Sequence, residues 1–510
     1  MSSPYPELIW SQTSPGVWQR SIDEVEESYA VLATLYEGSG LMFFAMTGHI
    51  SLNIDIPDGV SPSEASSRLD RALNNAWLAL RYDHPTIASQ VTQNLDTGKW
   101  TKTYEQFRDA QDQTQTAWLS KTLVPVSTDK TGNAWANSNP PAPKIPTLFV
   151  LSPASDKDGA LRRDLVFRAP HDIIDGIGTL TLCGNFITHV AKAYSEGDSY
   201  QLPTFDGSEA ANLSPPYRVA ANVPPTLTDA QKKRLADMAA QKAAAMKAPG
   251  IEILDMPYRH GATLPSKHQR AALTLTTEET ARLIAACKAA DATVTHVFHA
   301  AIALVVRDIQ PRAAEPKRVR YVNYILRNER ASCQAPYNSR AHPAALYHSV
   351  PGQSLVVDMD LPAAGDDAPL RDDEFFPIVQ TMKDFYHGVR NDAEHYALAS
   401  TIWAAGTAPL PLSPRPLPVP PPKTHPSVSI SSMGRVDGII APRTGAIEAH
   451  DPWVTGEELG NGLGLFLGTF RGELCLSAAY NDAWHTEEDV LDFLRRCKDV
   501  VFRAFNIASC

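Results

Sequence analysis

Cysteine is scarce in this chain, and its spacing excludes two classes of protein. Six cysteines occur among 510 residues, and no two of them form a C-x-x-C pair. This density is far below that of a disulfide-stabilised secreted domain, and the paired ligands of a zinc ribbon are missing as well. Cys183, Cys287 and Cys475 occur in apolar patterns and are expected to be buried thiols. The sequence therefore predicts a reducing compartment, the cytoplasm.

Clusters of positive charge and long apolar runs are also missing. Asp and Glu outnumber Lys and Arg by 57 to 46, which gives a formal net charge of −11. An acidic chain without a concentrated basic patch is a poor binder of nucleic acid. No stretch of 18 apolar residues exists, and the first ten residues resemble no signal peptide. We therefore expect small-molecule partners, and neither nucleic acid nor a membrane.

Several familiar cofactor and nucleophile motifs are absent. There is no G-x-S-x-G elbow and no P-loop, and residues 460–464 (GNGLG) lack the spacing of a dinucleotide-binding loop. His296 and His299 lie three residues apart on an apolar helix, but no glutamate stands at metalloprotease spacing, so we expect core histidines. The sequence predicts no metal site and no permanently bound cofactor.

Proline, by contrast, is plentiful, with 40 residues that punctuate the chain. The densest cluster is residues 409–426, where nine of eighteen residues are proline. Because proline fixes φ and lacks a backbone donor, this segment is excluded from a central strand or a helix interior. We expect an exposed surface loop that is not part of the active site.

Between the proline clusters the pattern alternates between strands and helices, which predicts an α/β (α+β) fold in two halves. Alternating apolar residues predict a strand at 49–56, and Ser61, Pro62 and Glu64 mark the start of a helix that runs to residue 81. The remaining predicted strands are 147–151, 161–168, 319–326, 428–432, 464–470 and 474–480, with Leu273 and Leu275 in a short one; the remaining helices are 177–194, 228–247, 277–289, 293–307, 375–389 and 487–505. We place an N-terminal domain at 1–215, a linker at 216–265 and a C-terminal domain at 266–510.

The most informative segment is residues 165–178 (LVFRAPHDIIDGIG), in which a strand leads through a turn into a helix. His171 is placed at the end of the strand, where its side chain can face a cleft. Asp175 can fold back to hold the loop, and Gly176 permits a backbone conformation closed to other residues. By itself, an H-x-x-x-D-G pattern arises often by chance, so the spacing alone leaves a structural histidine open.

The wider context resembles the chloramphenicol acetyltransferase superfamily, which includes BAHD acyltransferases and condensation domains of peptide synthetases. His171, Asp175 and Gly176 match the H-x-x-x-D-G motif of that superfamily. Further similar segments follow in the same order along the chain: residues 80–87 (LRYDHPTI), 293–298 (TVTHVF), 431–437 (SSMGRVD) and 474–480 (LCLSAAY). The chain is most similar to the fungal trichothecene 15-O-acetyltransferase group. It departs from condensation domains at Pro170, which replaces their first histidine, and it lacks the plant D-F-G-W-G motif.

This resemblance implies two chloramphenicol-acetyltransferase-like domains with mixed sheets and a tunnel between them. It implies a monomeric acyl-CoA-dependent O-acyltransferase that acetylates a terpenoid hydroxyl, with acetyl-CoA as co-substrate and His171 as general base. Asp175 would be structural and paired with an arginine of the second half, for which we choose Arg327, with Arg330 as the alternative. Two other functions stay open: a stand-alone condensation-type enzyme that uses a carrier-bound acyl group, and a non-catalytic scaffold that binds a small molecule.

Overall fold

The helices begin where the sequence supplies N-terminal caps. The computed structural model describes residues 3–107, 113–153, 160–247, 249–366 and 372–508. Ser61 caps the second helix by accepting a hydrogen bond from the Glu64 backbone, and Thr276 and Glu279 form the predicted capping box. The α-helices of the described ranges are α1 (Glu24–Tyr36), α2 (Pro62–Asp83), α3 (Gln113–Thr122), α4 (Gly132–Ala136), α5 (Gly176–Glu196), α6 (Tyr217–Ala220), α7 (Asp229–Ala245), α8 (Thr277–Ala289), α9 (Val294–Asp308), α10 (Asp372–Arg390), α11 (His395–Gly406) and α12 (Glu487–Ala504).

The strands form two principal mixed sheets and three smaller ones. The strands are β1 (Ser11–Ser14), β2 (Val17–Ser21), β3 (Met46–Asp55), β4 (Ser89–Gln93), β5 (Trp100–Glu105), β6 (Leu123–Ser127), β7 (Thr147–Ser152), β8 (Ala160–Ala169), β9 (Glu252–Ile253), β10 (His268–Thr274), β11 (Lys317–Asn323), β12 (Arg327–Asn328), β13 (His348–Ser349), β14 (Leu355–Leu361), β15 (Val428–Arg435), β16 (Arg443–Thr444), β17 (Ile447–Gly456), β18 (Leu463–Phe470) and β19 (Glu473–Asn481). The first sheet has the order β16-β17-β3-β8-β7-β6 and the second the order β10-β19-β18-β15. The smaller sheets are β1-β2-β5-β4, β14-β11-β9 and β12-β13.

Both principal sheets are mixed, as predicted. In the first, β6 and β7 run parallel while the other neighbours are antiparallel. In the second, β15 and β18 run parallel, and β18, β19 and β10 are antiparallel. The predicted strand 319–326 is shorter than expected and ends at Asn323, whose side-chain oxygen accepts from the Tyr324 backbone N–H at 2.8 Å. Such a local bond competes with the strand ladder, and Leu326 beyond it is 43% exposed.

One strand pair crosses between the two halves of the chain. β16 and β17 come from the second half, yet β17 pairs with β3 of the first sheet over most of its length. This pairing places segment 443–456 with the first half. The domain boundaries at residues 215 and 265 stay a prediction.

Each principal sheet has its own hydrophobic core. α2 and α5 cover the first sheet, with Trp77, Phe167 and Phe186 fully buried between them. α8, α9 and α12 pack with the second sheet, α10 packs against α9 and β14, and in α9 every residue from His296 to Arg307 is buried. Among the described residues no single helix passes the length and hydropathy test for a membrane span, and only the sharply bent α8–α9 pair passes it jointly.

The proline-rich segment 409–426 contains no helix or strand and is mostly exposed, as predicted. It is not free of packing, however. Leu417 is only 5% exposed, and Val419 packs against a small cluster formed by Tyr36, Phe43 and Leu459. The segment is thus an exposed loop with an apolar anchor.

Candidate active site

The H-x-x-x-D-G segment connects β8 to α5 and places His171 just beyond the strand end. β8 ends at Ala169, and Asp175 is the N-cap of α5, accepting a 2.7 Å hydrogen bond from the Gly178 backbone N–H. An N-cap carboxylate satisfies a free N–H and interacts favourably with the helix dipole. The helix start therefore fixes the turn that carries His171.

Gly178, not Gly176, is the glycine that the packing requires. Gly176 is the first residue of α5 and does not have a positive φ, and a Cβ there would come no closer than 3.7 Å to any neighbour. The expectation that Gly176 supplies a conformation closed to other residues is therefore wrong. At Gly178 a Cβ would lie 2.2 Å from the carbonyl oxygen of Pro343. Its missing side chain lets the segment around Pro343 approach Asp175.

Asp175 is a buried structural carboxylate paired with an arginine of the second half. It is 4% exposed and receives two 3.0 Å hydrogen bonds from the Arg330 guanidinium and one of 2.9 Å from the Tyr347 backbone N–H. Burial raises the pKa of Asp175, but Arg330 and His348 outweigh it and hold the pKa well below its ordinary value. Asp175 is thus ionised and directed toward its partners.

Arg327, the residue chosen from the sequence, is not the partner of Asp175. Its Nε lies 3.2 Å from a carboxylate oxygen of Glu329, and its Nη1 donates to the carbonyls of Val389 and Asp392 at 3.1 and 2.9 Å. The correction has a geometric reason. β12 ends at Asn328 and the chain turns there, so the two arginines of the R-N-E-R segment point to different neighbours.

His171 lies against aromatic rings from α1 and the segment after it. The Tyr29 ring stacks on the imidazole with centroids 3.7 Å apart and planes inclined by 16°, and Phe44 meets the imidazole edge-on at 6.4 Å. Burial, and to a lesser degree the nearby His348, lower the pKa of His171 to about 3. The imidazole is therefore neutral throughout the physiological range and can accept a proton.

Two residues that sequence reasoning missed connect this stack to Asp175. The Tyr29 hydroxyl is hydrogen-bonded to Nε2 of His348 at 2.8 Å, and Nδ1 of His348 lies 3.6 Å from Asp175. Burial raises the pKa of Tyr29 well above its ordinary value, so its hydroxyl stays protonated. Neither residue lies in a motif of fixed spacing from His171, which is why no sequence pattern identified them.

A buried charge cluster holds α1 against the turn of His171. Nζ of Lys102 donates to the carbonyl of Asp172 at 2.7 Å and is ion-paired with Glu26 of α1, which Arg20 also contacts at 2.6 Å. Burial raises the pKa of Glu26, but Arg20 and Lys102 outweigh it and lower the pKa to about 2. The cluster thus fixes α1, and with it Tyr29, relative to His171.

His171 lines a cavity of about 350 Å³ between the two halves. The first half contributes α1, Phe44 and the turn that carries His171 and Gly176, and the second contributes residues 324–330, Trp403 and the facing side of β15 and β18. Arg327, although not the partner of Asp175, is also part of this wall. A concave chamber whose exposed lining is largely apolar, with convergent polar side chains such as His171, Arg327, His348 and Glu458, is typical of a small-molecule site.

A second cavity, of about 550 Å³, adjoins the first. Met433 and Phe466 line both cavities, which lie over the same face of the second sheet. Cys475 also lines the second cavity, which explains why it is half-buried rather than fully buried. Two adjoining cavities therefore occupy the interface where the sequence predicts a tunnel.

No metal centre is evident in the described ranges, where no group of three or more His, Cys, Asp or Glu side chains is placed to hold an ion. His299, considered above as a possible ligand, is fully buried between the hydroxyls of Tyr321 and Tyr386, at 3.1 Å from each. It is a core histidine, as predicted.

A family model described as 15-O-acetyltransferase Tri3 matches residues 53–334, more than half of the chain. The O-acetyltransferase pigM of Monascus ruber is 28% identical over 341 residues, which cover 67% of this chain and 60% of pigM. The acetyltransferase pigO of the same organism is 22% identical over 506 residues, which cover 98% of this chain and 99% of pigO.

Solved structures show the same fold. The TRI3 trichothecene 15-O-acetyltransferase of Fusarium sporotrichioides superposes with a TM-score of 0.77 at 18% identity, covering 99% of this chain and all of that one. The first condensation domain of the calcium-dependent antibiotic synthetase gives a TM-score of 0.57 at 13% identity, covering 96% of this chain and 97% of that one. The predicted two-domain architecture of the chloramphenicol acetyltransferase type is confirmed.

Proposed function

The chain belongs to the 15-O-acetyltransferase Tri3 family, a family of acyltransferases, and from this we propose that it transfers an acetyl group from acetyl-CoA to a hydroxyl of a terpenoid, trichothecene-like metabolite. The names of its relatives support the acetyl group and the oxygen acceptor, since pigM is an O-acetyltransferase and TRI3 a trichothecene 15-O-acetyltransferase. The observation that carries the proposal is a neutral His171 in a chamber formed by both halves.

In the proposed reaction His171 acts first as base and then as acid. The neutral imidazole takes the proton of the acceptor hydroxyl while the oxygen attacks the thioester carbonyl of acetyl-CoA. The tetrahedral intermediate then collapses, and the imidazolium returns the proton to the departing CoA thiolate. An alcohol and acetyl-CoA thereby become an acetate ester and free CoA.

Asp175 and Tyr29 are positioning residues in this scheme. Asp175 holds the first turn of α5 through Gly178 and joins it to the second half through Arg330. Tyr29 covers one face of the imidazole, so an acceptor hydroxyl approaches the ring from the side that faces the cavity. A base that is already oriented accounts for part of the rate enhancement, because the entropy of positioning it is not lost again in the transition state.

The direct test replaces His171 and follows product by mass spectrometry. His171→Ala should lower acetyl transfer from acetyl-CoA to a panel of terpenoid alcohols by about 10²- to 10⁴-fold, because only the proton acceptor is removed. Affinity for acetyl-CoA should stay close to wild type, and His260→Ala, at an exposed histidine, is the matched control. Near wild-type turnover in His171→Ala would remove the proposed mechanism.

A second candidate is a condensation-type enzyme that takes its acyl group from a carrier protein. The likeness to a condensation domain favours it, although Pro170 stands where such domains have a first histidine. Acetyl transfer from acetyl-CoA without any carrier would exclude this alternative. Binding of acceptor and donor with no transfer in the wild type would instead support a non-catalytic scaffold.

A further inference from the structure

Arg270, on β10, is a buried cation without a carboxylate partner in the described part of the chain. It is 4% exposed, and no Asp or Glu among the described residues lies within salt-bridge distance of it. Nη1 donates to the side-chain oxygen of Asn133 at 3.1 Å, and Nη2 contacts the Cys475 sulfur at 3.5 Å. Nε is buried without a hydrogen-bond partner within the described ranges. A guanidinium has five N–H donors, so three remain unused.

Three other buried arginines are each paired with a glutamate. Arg20 pairs with Glu26 at 2.6 Å, Arg168 with Glu457 at 2.5 Å, and Arg307 with Glu374 at 2.8 Å. An ion buried without a partner is costly, because its desolvation is not offset by attraction to a counter-charge. Arg81 also has no carboxylate partner among the described residues, but the Phe107 and Trp118 rings cover it, whereas Arg270 faces the 550 Å³ cavity. An anion that enters this cavity can therefore compensate the charge of Arg270.

The surroundings of Arg270 are built for such a ligand. The side chain lines the 550 Å³ cavity and stacks on the Trp453 ring at 4.5 Å, and the Trp453 indole N–H is also buried without a partner in the described part of the chain. Five other charged or titratable side chains line this cavity. Asp451 and Glu473 are exposed carboxylates, and Arg471 is paired with Glu448 at 2.5 Å. The remaining two are His450 and Cys475. The buried polar atoms of this cavity that have no partner among the described residues are thus N–H donors, those of Arg270 and Trp453.

The sheet register places Arg270 next to the His171 cavity. Arg270 is opposite Ala479 on β19, Ala479 is opposite Gly464 on β18, and Gly464 is opposite Ser429 on β15. The last three residues of this row line the His171 cavity. Since neighbouring strands lie about 4.8 Å apart, Arg270 stands one strand beyond that cavity. A molecule bound at Arg270 can therefore extend toward His171.

We propose that Arg270 and Trp453 form a phosphate-binding subsite for the phosphopantetheine arm of the acyl donor. The inference rests on the proposed function, in which the acceptor, a terpenoid alcohol, carries no charge, whereas the acyl donor carries phosphate. Arginine suits this group because its planar donors match phosphate oxygens and its face stacks on an aromatic ring. In this arrangement the phosphopantetheine arm of the donor occupies the 550 Å³ cavity, and the acceptor hydroxyl and the thioester meet in the His171 cavity.

The test is calorimetric titration with CoA, 4′-phosphopantetheine and pantetheine as probes. On the unaltered chain, phosphopantetheine should bind about 10- to 100-fold more tightly than pantetheine, the range for a hydrogen bond to a charged group. Arg270→Gln should abolish this difference and leave pantetheine affinity unchanged, while Arg270→Lys should retain part of it. Tighter binding of CoA than of phosphopantetheine identifies free CoA as the source of the phosphate, and equal binding identifies a carrier-bound arm.

Arg81→Gln is the matched control. Arg81 is equally buried at 3%, stacks on Phe107 at 3.5 Å and has no carboxylate partner among the residues that the structure describes, but it does not line this cavity. The Arg81→Gln variant, once circular dichroism shows that it is folded, should bind CoA, 4′-phosphopantetheine and pantetheine with unchanged affinity. Equal affinity of the unaltered chain for phosphopantetheine and pantetheine would overturn the subsite, and this comparison needs no variant. If acetyl transfer from acetyl-CoA proceeds in that case, only the subsite is refuted; if neither binding nor transfer occurs, the proposed function is refuted with it.

Discussion

The pairing of Asp175 with Arg330 can be tested by a double-mutant cycle. Asp175→Asn removes the charge that compensates Arg330, whose side chain is only 14% exposed. Breaking a buried ion pair from one side costs about 3 to 5 kcal/mol of unfolding free energy. An asparagine retains one oxygen and can still cap Gly178, so we expect the loss of the ion pair to dominate.

Arg330→Gln should cost a similar amount for the mirror-image reason, because it leaves the Asp175 carboxylate buried without its cation. The double variant should be less destabilised than the sum of the two single variants, with a coupling of about 0.5 to 3 kcal/mol, as is usual for residues in contact. The assay is urea unfolding followed by circular dichroism, with all four proteins measured at one pH.

Arg327→Gln provides the discriminating arm of the experiment. Arg327 is paired with Glu329, which is fully buried, so this variant is also destabilised. Its effect should nevertheless add to that of Asp175→Asn, since the two residues share no direct hydrogen bond or ion pair. Coupling of Asp175 to Arg327, together with additivity toward Arg330, would refute the geometry described here.

Three further predictions follow from buried groups. Because burial lowers the pKa of His171 to about 3, the ionisation of His171 should not lower kcat/KM between pH 8 and about pH 5. Glu458 lines the same cavity and burial raises its pKa to about 7, so a half-loss near pH 6.5 that persists in Glu458→Gln would contradict the lowered pKa of His171. Burial raises the pKa of Asp172 to about 7, so the folded state holds that proton longer than the unfolded state and loses stability as pH rises from about 4 to 7. Asp172→Asn should therefore raise the unfolding free energy at pH 8 by about 1 to 4 kcal/mol, and by roughly a third as much at pH 5, as measured in urea. Leu417→Ala should lower that free energy by about 2 to 5 kcal/mol, while Pro418→Ala, at an exposed neighbour, should lower it by no more than about 1 kcal/mol, because it only adds freedom to the unfolded chain; equal effects would show that Leu417 is no anchor.

Much of the secondary structure could be predicted because its determinants are local. The cap at Thr276 and the apolar periodicity of α9 lie within the segments they specify, and both helices begin where expected. The role of Asp175 in the turn was also predictable, since an N-cap depends on the next three residues. The choice between Arg327 and Arg330 was not, because it depends on where the chain turns after Asn328.

β17 shows a second limit of local reasoning. Pro452 lies within it, and proline argues against an interior strand because it cannot donate to the ladder. The structure accommodates Pro452 at an irregularity, where Asp451 has a φ of 44° and the register passes from His450 opposite Ser51 to Trp453 opposite His49. Pairing between segments almost 400 residues apart leaves no trace in the spacing of either one.

The low pKa of His171 still has to be reconciled with its work as a base. A pKa lowered from 6.5 to about 3 corresponds to about 5 kcal/mol against the imidazolium in the empty site. In the proposed reaction, however, the imidazolium forms only together with the oxyanion of the tetrahedral intermediate, in the same enclosed chamber. Opposite charges at short range attract strongly where water is excluded. The environment that disfavours the charged ring in the free protein therefore favours the ion pair that develops in the transition state. An interaction that exists only in the transition state raises turnover rather than substrate affinity.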